Sequence, residues 1–204
     1  GIVMSNAKAV VVRGLSLKGA GEGFSIRAGS VSNLLDACRV FSNSFRGIED
    51  EPGARANRYV DSEIFANAGE GIRIRGPVAV FSNLRVYGNT GHGFKITNGF
   101  TNYIKRCVIY SNGSNGIRVQ NATNNFVLNN TLFRNGNGGV VLMSGLANRI
   151  VNNVIQSNTT VGVDNTGGTG SDIRFNVVIG HTTQFLPGAL ATSGGNIVAT
   201  ADFS

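Results

Sequence analysis

Cationic side chains recur in this sequence at a spacing that suits recognition of a negatively charged ligand. Arg73, Lys95 and Arg118 are separated by 22 and 23 residues, and we call these three the basic ridge. Glu70 and His92 each stand three residues before a ridge cation. Cations can neutralise the carboxylate of a sugar acid, and a His or Glu can accept the neighbouring proton. These residue types fit uronate binding or, if the site is catalytic, a lyase reaction.

The spacing belongs to a repeat that covers most of the chain. Its mark is Asn-x-x-x-Gly, with Gly-to-Gly spacings of 24, 22, 23, 23 and 23 residues. The pattern occurs at Asn43/Gly47, Asn67/Gly71, Asn89/Gly93, Asn112/Gly116, Asn135/Gly139 and Asn158/Gly162. An apolar-x-apolar segment follows most of these glycines, as in Gly71-Ile-Arg-Ile, and this alternation is typical of a short strand.

Three such apolar segments fall in each repeat, which predicts an all-β fold. We expect a right-handed parallel β-helix over residues 1–180, with about eight turns of about 23 residues and three short strands per turn. Residues 181–204 lose the repeat and are predicted to form an irregular C-terminal turn and a tail that covers or extends the helix. A leucine-rich repeat is excluded because its signature and its helical segment are missing.

Asparagine occupies two columns of the repeat. One column is that of the Asn-x-x-x-Gly mark, and the other lies ten residues earlier, at Asn33, Asn57, Ala79, Asn102, Asn125 and Asn148. Stacked Asn amides can hydrogen-bond along the axis as a ladder. Asn also tolerates the left-handed backbone conformation, so we expect these residues at the sharp bends.

The Asn-x-x-x-Gly-[Phe/Ile/Val]-x-[Ile/Val/Leu] repeats resemble those of the pectate lyase-like parallel β-helix superfamily. The resemblance covers about residues 1–180. It implies the fold but says little about the activity, because one fold hosts many activities. Gly91-His92-Gly93 is also similar to the Gly-His-Gly segment of polygalacturonases, whose His accompanies catalytic Asp residues. The neighbouring turns here carry Glu70 and Asn115 and lack the acidic motif, so the sequence favours a lyase over a hydrolase.

The candidate site follows from stacking of the repeats. Residues two after each Gly should project outward in one column, which places the basic ridge on consecutive turns. We assign candidate catalytic roles to His92, Lys95 and Arg118, and candidate substrate contacts to Arg73, Arg75, Lys95, Arg118 and Glu70. The alternative is that the cations splay into water and screen one another.

Acidic residues are dense only at Glu49-Asp50-Glu51. Many lyases of the resembling superfamily use Ca²⁺, so this triplet is a weak candidate for a hard cation, while no resident cofactor is predicted. A solvated turn that pairs with Arg73 and Arg75 is the favoured interpretation. Because Asp50 falls at an inward position, we expect a bulge there.

An aromatic side chain precedes five of the repeat asparagines by two residues. This aromatic stripe consists of Phe41, Phe65, Tyr87, Tyr110 and Phe133. Alternation with inward neighbours points it outward, where it could stack on sugars or join subunits. The alternative is that the following turn folds over it.

Composition limits the remaining classes. The net charge is +7, carried by single Arg and Lys residues rather than a block, and aromatics interleaved with Arg for reading bases are not evident. Cys38 and Cys107 share an inward column three turns apart, roughly 14 Å at the strand spacing, and should be buried free thiols. No apolar run approaches a membrane span.

Gly1 falls on the Gly column, so we favour a chain that begins inside a turn of a longer β-helix over a stacking end or a cloning remnant.

The leading hypothesis is an extracellular, cell-surface or periplasmic β-helix that binds an acidic polysaccharide along its basic face. Catalysis is an open addition to this hypothesis. The alternative is a structural segment that assembles with other copies of itself in a spike, adhesin or filament. Neither specific nucleic-acid binding nor a membrane span is predicted.

Overall fold

The computed structural model describes residues 1–187 and 194–199 as a parallel β-helix. Every strand pairing in these residues is parallel, and each strand pairs with the equivalent strand of the next turn, about 23 residues away. Parallel pairing at one-turn separation means that each turn bonds its backbone to the turns above and below it. The predicted all-β, right-handed parallel β-helix with about eight turns and three strands per turn is confirmed.

In the described residues, three long sheets run along the axis, and a fourth, two-stranded sheet accompanies them. The first sheet consists of β1 (Ile2–Met4), β4 (Glu22–Ile26), β7 (Arg46–Asp50), β10 (Ile72–Ile74), β13 (Phe94–Thr97), β16 (Ile117–Gln120), β19 (Val140–Leu142), β23 (Val161–Asp164) and β27 (Thr183–Leu186). The second consists of β2 (Val11–Arg13), β5 (Leu34–Asp36), β8 (Arg58–Val60), β11 (Val80–Ser82), β14 (Tyr103–Lys105), β17 (Phe126–Leu128), β21 (Arg149–Val151) and β25 (Asp172–Arg174). The third consists of β3 (Ser16–Leu17), β6 (Arg39–Phe41), β9 (Glu63–Phe65), β12 (Arg85–Tyr87), β15 (Val108–Tyr110), β18 (Thr131–Phe133), β22 (Val154–Gln156), β26 (Val177–Ile179) and β28 (Ile197–Ala199). The small sheet pairs β20 (Gly145–Leu146) with β24 (Gly168–Thr169).

The core is the set of inward columns that the alternation predicts. Ile72, Phe94 and Ile117 are fully buried and stand in register on β10, β13 and β16. Because each inward side chain packs on its equivalents in the adjacent turns, the core runs unbroken along the axis.

The Asn-x-x-x-Gly mark has a packing reason. A Cβ at Gly71 would lie 2.7 Å from Nδ2 of Asn89 and 2.8 Å from Cγ1 of Val86. The Gly of one turn therefore lies against the ladder Asn of the next turn, and a side chain there would collide. The amide of Asn89 continues the ladder, because its Nδ2 donates to Oδ1 of Asn112 at 2.9 Å.

The expectation that the ladder asparagines themselves occupy the left-handed region is wrong. They are buried, and the residue before each one takes the positive φ instead, as Ala66 does before Asn67 with φ 52°. The left-handed residue forms the bend, and the Asn after it points its amide inward, where the amide can hydrogen-bond along the axis.

Two cysteines behave as predicted, since both are free and buried. Cys38 and Cys107 stand at ladder positions of a third column that sequence analysis missed, with Asn130, Asn153 and Asn176 further along. The Cys107 thiol lies 3.8 Å from the carbonyl of Phe81, and Asn130 donates to the equivalent carbonyl, that of Ile104, at 2.9 Å. Burial raises the pKa of Cys107 to about 12, so the thiol stays protonated.

The C-terminal strands β27 and β28 pair with β23 and β26 and so continue the first and third sheets. The boundary at residue 180 stays a prediction. Gly188 and the segment 201–203, which the sequence analysis assigned to the tail, lie outside the described residues.

Candidate functional site

The basic ridge lies on the outward face of the first sheet. Arg73 of β10 pairs in register with Lys95 of β13, and Lys95 pairs with Arg118 of β16. Both neighbours of each cation in its strand are buried core residues, so the cation projects away from the core. The ridge cations therefore stand on three consecutive turns, with their backbones about 4.8 Å apart.

A cluster of ion pairs lies beside the Arg73 end of the basic ridge. Arg46 contacts carboxylate oxygens of Glu22 at 3.2 Å, Glu49 at 3.2 Å and Glu70 at 3.0 Å. Its guanidinium carbon also lies 3.7 Å from the ring centroid of Phe45. Because Arg46 and Glu49 are both buried, the cluster is an anchored part of the face rather than a mobile surface.

Some of the residues assigned to substrate binding are engaged in this cluster. Arg75 contacts Glu49 at 2.6 Å, and Glu70 contacts both Arg46 and, at 3.3 Å, Nζ of Lys95. Burial opposes ionisation of Glu70, but its own backbone amide and Arg46 outweigh burial and lower the pKa. Glu70 is thus a fixed anion that positions Lys95.

Arg73 and Arg118 are the ridge cations that remain available. Within residues 1–187 and 194–199, neither has a carboxylate oxygen within 4.0 Å. Their Nε atoms are buried and lack a hydrogen-bond partner in the same part of the chain. A half-buried guanidinium with no carboxylate in direct contact favours a negatively charged ligand.

His92 lies beside these cations and is held by the next turn. Its Nδ1 accepts a hydrogen bond from the backbone N–H of Asn115 at 3.2 Å. Burial, followed by the charges of Arg118 and Lys95, lowers the pKa of His92 to about 4, although Glu70 opposes the shift. His92 is therefore neutral at pH 7, and because Nδ1 accepts, the proton is on Nε2. The ring offers a donor, which suits ligand binding better than proton abstraction.

The three carboxylates of the acidic triplet do not point to a common position where a metal ion could bind. Glu49 points outward under Arg46 and Arg75, while Asp50 points into the core and is fully buried. Glu51 lies 3.9 Å from Arg27. Successive residues of a strand face opposite sides, so their carboxylates cannot share one ion. In the described part of the chain, no group of three or more His, Cys, Asp or Glu residues could hold a metal ion.

Two expectations about this triplet are therefore wrong. Asp50 does not form a bulge, because it pairs in unbroken register with Ile26 on one side and Ile74 on the other. Glu49 and Asp50 belong to β7 rather than to a solvated turn. Of the two arginines expected to pair with Glu49, Arg75 does so. Arg73 stands opposite Glu49 in register but makes no contact with it within 4.0 Å, and Arg46 of the same strand is the second partner.

The aromatic stripe is a ladder of stacked rings on the third sheet. Neighbouring ring centroids are 4.9, 5.0, 4.9 and 4.9 Å apart, with interplanar angles between 1° and 8°. Each inner ring has both faces covered by its neighbours, and Arg39 lies over Phe41 and Phe65. Sugars stack on ring faces, so this geometry favours a structural role for the stripe. The second sheet carries a similar pair that sequence analysis missed, Tyr103 and Phe126, at 4.5 Å.

The repeat pattern also gave no sign of a groove on the turns that follow Arg118. A groove with a volume of about 530 Å³ extends from His92 to Leu186 and includes Arg118 at its near end. Its other lining residues come from turns whose sequences vary, so no repeated motif marked them. The available signal was the loss of cations from the outward column after Arg118, at Val141 and Asp164.

The chain belongs to the family of right-handed β-helix regions, which it matches over residues 1–178. A comparison with curated proteins finds no match. No helix in residues 1–187 and 194–199 is long and apolar enough to cross a membrane.

Solved structures share the fold at low sequence identity. The periplasmic alginate epimerase AlgG has a TM-score of 0.73 and 14% identity, over 91% of this chain and 46% of its own. The Azotobacter vinelandii mannuronan C-5 epimerase AlgE6 A-module has a TM-score of 0.73 and 16% identity, over 96% and 59%. The enzymatically active domain of bacteriophage CBA120 tailspike protein 2 has a TM-score of 0.61 and 12% identity, over 98% and 41%. The chain thus spans about half the length of each.

Proposed function

We propose that this β-helix binds an anionic, uronate-containing polysaccharide along the basic ridge. The observation that carries the proposal is the pair Arg73 and Arg118, half-buried on the outward face of the first sheet and not paired with a described carboxylate within 4.0 Å. Lys95 stands between them in register. Like charges at this spacing repel each other, and the carboxylates of a uronate-containing polymer would offset that repulsion.

The structural neighbours support a carbohydrate ligand. Two of them are named for action on alginate or mannuronan, and both share the parallel β-helix with this chain. The periplasmic location in the name of one of them supports an extracellular, cell-surface or periplasmic location here.

Binding without turnover fits the site better than catalysis. Glu70, the carboxylate beside the ridge, is engaged by Arg46 and Lys95. The lone pair of the neutral His92 ring is on Nδ1, and it already accepts a hydrogen bond from the backbone N–H of Asn115. A lyase needs a base that can reach a sugar proton, and neither group offers one in this arrangement. If turnover occurs, His92, Lys95 and Arg118 are the residues that would contact the reacting sugar.

The test is titration calorimetry with oligomannuronate at two salt concentrations. Arg73→Gln/Lys95→Gln/Arg118→Gln should weaken binding at least about 30-fold and reduce its salt dependence, because the cation contacts to the sugar carboxylates are lost. The matched control is Arg58→Gln/Arg106→Gln/Arg134→Gln, which removes three exposed cations elsewhere. The control should bind within about twofold of wild type.

Equal weakening in both triple variants would show that net charge attracts the polymer and that the ridge is no site. Absence of binding together with concentration-dependent light scattering would replace the proposal with self-assembly. Formation of unsaturated product, followed by ultraviolet absorbance, would show that the site is a lyase.

A further inference from the structure

The groove beyond the basic ridge has a different chemical character from the ridge itself. In the outward column of the first sheet, Arg118 is followed in register by Val141, Asp164 and Leu186. The cations therefore end at Arg118, while the groove continues for about three more turns. A polymer that follows the axis would meet both surfaces.

One wall of the groove is a column of hydroxyl and amide side chains. Ser114, Asn137, Thr160 and Thr183 stand on successive turns, connected by backbone hydrogen bonds of 3.2, 3.2 and 2.9 Å. The hydroxyl of Thr160 contacts Oδ1 of Asn137 at 2.5 Å. Asn137 and Thr160 are exposed, and groups of this kind exchange hydrogen bonds with sugar hydroxyls.

The floor of the groove is apolar. Val141 and Val161 line it, and the buried Gly138 lies against both of their side chains. A Cβ at Gly138 would lie 2.7 Å from Cγ2 of Val141 and 2.9 Å from Cγ1 of Val161. An apolar floor beside a polar wall matches a pyranose, which has C–H groups on its faces and hydroxyls at its edge.

Asp164 makes the far part of the groove unfavourable for a uronate. Its Oδ1 accepts hydrogen bonds from the backbone N–H and the hydroxyl of Thr166, at 2.9 and 2.7 Å. Among the residues that the structure describes, no cation lies within 4.0 Å of its carboxylate. A sugar carboxylate placed here would face an uncompensated like charge.

We infer that this groove binds uncharged sugar residues of the same polysaccharide whose acidic residues lie on the basic ridge. The ligand is then a mixed polymer of acidic and neutral sugars rather than a continuous polyuronate. This inference rests on the proposed function of the ridge.

The test compares two hexasaccharides by calorimetry, oligomannuronate and a probe in which glucuronate alternates with N-acetylglucosamine. The alternating probe should bind at least as tightly, although it has half the charge. Asn137→Ala/Thr160→Val should weaken the alternating probe about tenfold and leave oligomannuronate within about twofold. Asp164→Asn should tighten oligomannuronate about threefold to tenfold, because the like charge is gone while the Thr166 contacts can persist.

The matched control is Asn129→Ala/Thr131→Val, which removes the same side-chain groups on another side of the helix. If groove and control variants bind both probes as wild type does, the groove inference is overturned and the ridge proposal stands. Binding of oligomannuronate alone also overturns it. If the wild type binds neither probe, both proposals fail.

Discussion

The hydroxyl of Tyr59 donates a 2.6 Å hydrogen bond to Oδ2 of Asp50 inside the apolar core. Nδ2 of Asn57 lies 3.3 Å from the same oxygen. In the regular ladder each Asn donates to the Asn of the next turn, as Asn33 does to Asn57 at 3.1 Å. The next position after Asn57 is Ala79, which has no acceptor side chain. Asp50 supplies the missing acceptor, and this explains a carboxylate at an otherwise apolar inward position.

The Asp50–Tyr59 contact predicts strong coupling between the two side chains. Tyr59→Phe should lower the free energy of unfolding by about 1–3 kcal/mol, because a buried carboxyl loses its donor. Asp50→Val should also destabilise, since it leaves the hydroxyl and the Asn57 amide without their acceptor. The double variant should be more stable than the sum of the single changes by at least about 1 kcal/mol in urea unfolding. Additive effects would contradict the coupling.

Asp50 also predicts an unusual pH dependence of stability. Burial raises its pKa from 3.8 to about 6, although Tyr59 and Asn57 oppose the shift. Between these two values the folded protein holds a proton that the unfolded chain has released, so stability falls as pH rises across the window. The fall is bounded at about 3 kcal/mol. Urea unfolding at several pH values should show that the stability difference between wild type and Asp50→Asn changes across this window and is constant above it.

Strand register was the part of this molecule that sequence could predict. The repeat length is nearly constant, so counting from Gly71 to Gly93 and Gly116 was enough to place Arg73, Lys95 and Arg118 side by side. Asp50 could not be placed in the same way, because alternation reports only which face a residue occupies. The contacts of Asp50 with Tyr59 and Asn57 depend on Ala79, which interrupts an asparagine column that a different strand contributes.

Side-chain pairing on the face was less accessible to sequence than register. Glu70 lies within reach of two cations on adjacent turns, and Arg46 within reach of three carboxylates. Which of these pairs form depends on burial and side-chain direction, which spacing does not encode. The third Asn column was hidden because Cys38, Ser62, Leu84 and Cys107 fill its first half.

Arg46 is predicted to be a structural centre of the face. Arg46→Met should lower the free energy of unfolding by about 3–5 kcal/mol, because Glu49 stays buried with only part of its compensating charge. The control is Arg85→Met, which removes an arginine from a contact with Glu63 on the third sheet. Because that arginine is exposed, its loss should destabilise the protein much less than the loss of Arg46 in the same chemical denaturation series. Equal effects of the two changes would show that burial of the cluster contributes little.

Cys107 is predicted to tolerate conversion into a ladder residue. Cys107→Asn places an amide where the thiol now lies near the Phe81 carbonyl, and the backbone N–H of Cys107 already donates to Oδ1 of Asn130 at 2.9 Å. The new amide should raise the free energy of unfolding by about 1 kcal/mol, the net value of one hydrogen bond. Cys107→Val keeps the bulk without a donor and should not stabilise. A destabilised Asn variant in thermal unfolding would mean that the column cannot take another amide.

His92 should be neutral, with its proton on Nε2, throughout the physiological range. A backbone N–H can only donate, so the contact from Asn115 keeps the lone pair on Nδ1. Nitrogen-15 NMR should show one protonated Nε2 and one unprotonated Nδ1, with titration only near the lowered pKa of about 4. The signals are assigned by their loss in His92→Gln. Because the unfolded chain binds a proton near its ordinary value of 6.5 and the folded protein does not, wild-type stability should fall relative to His92→Gln as pH drops from 6.5 towards 4. A titration near 6.5, or a proton on Nδ1, would remove the donor role assigned to this ring and restore His92 as a candidate base.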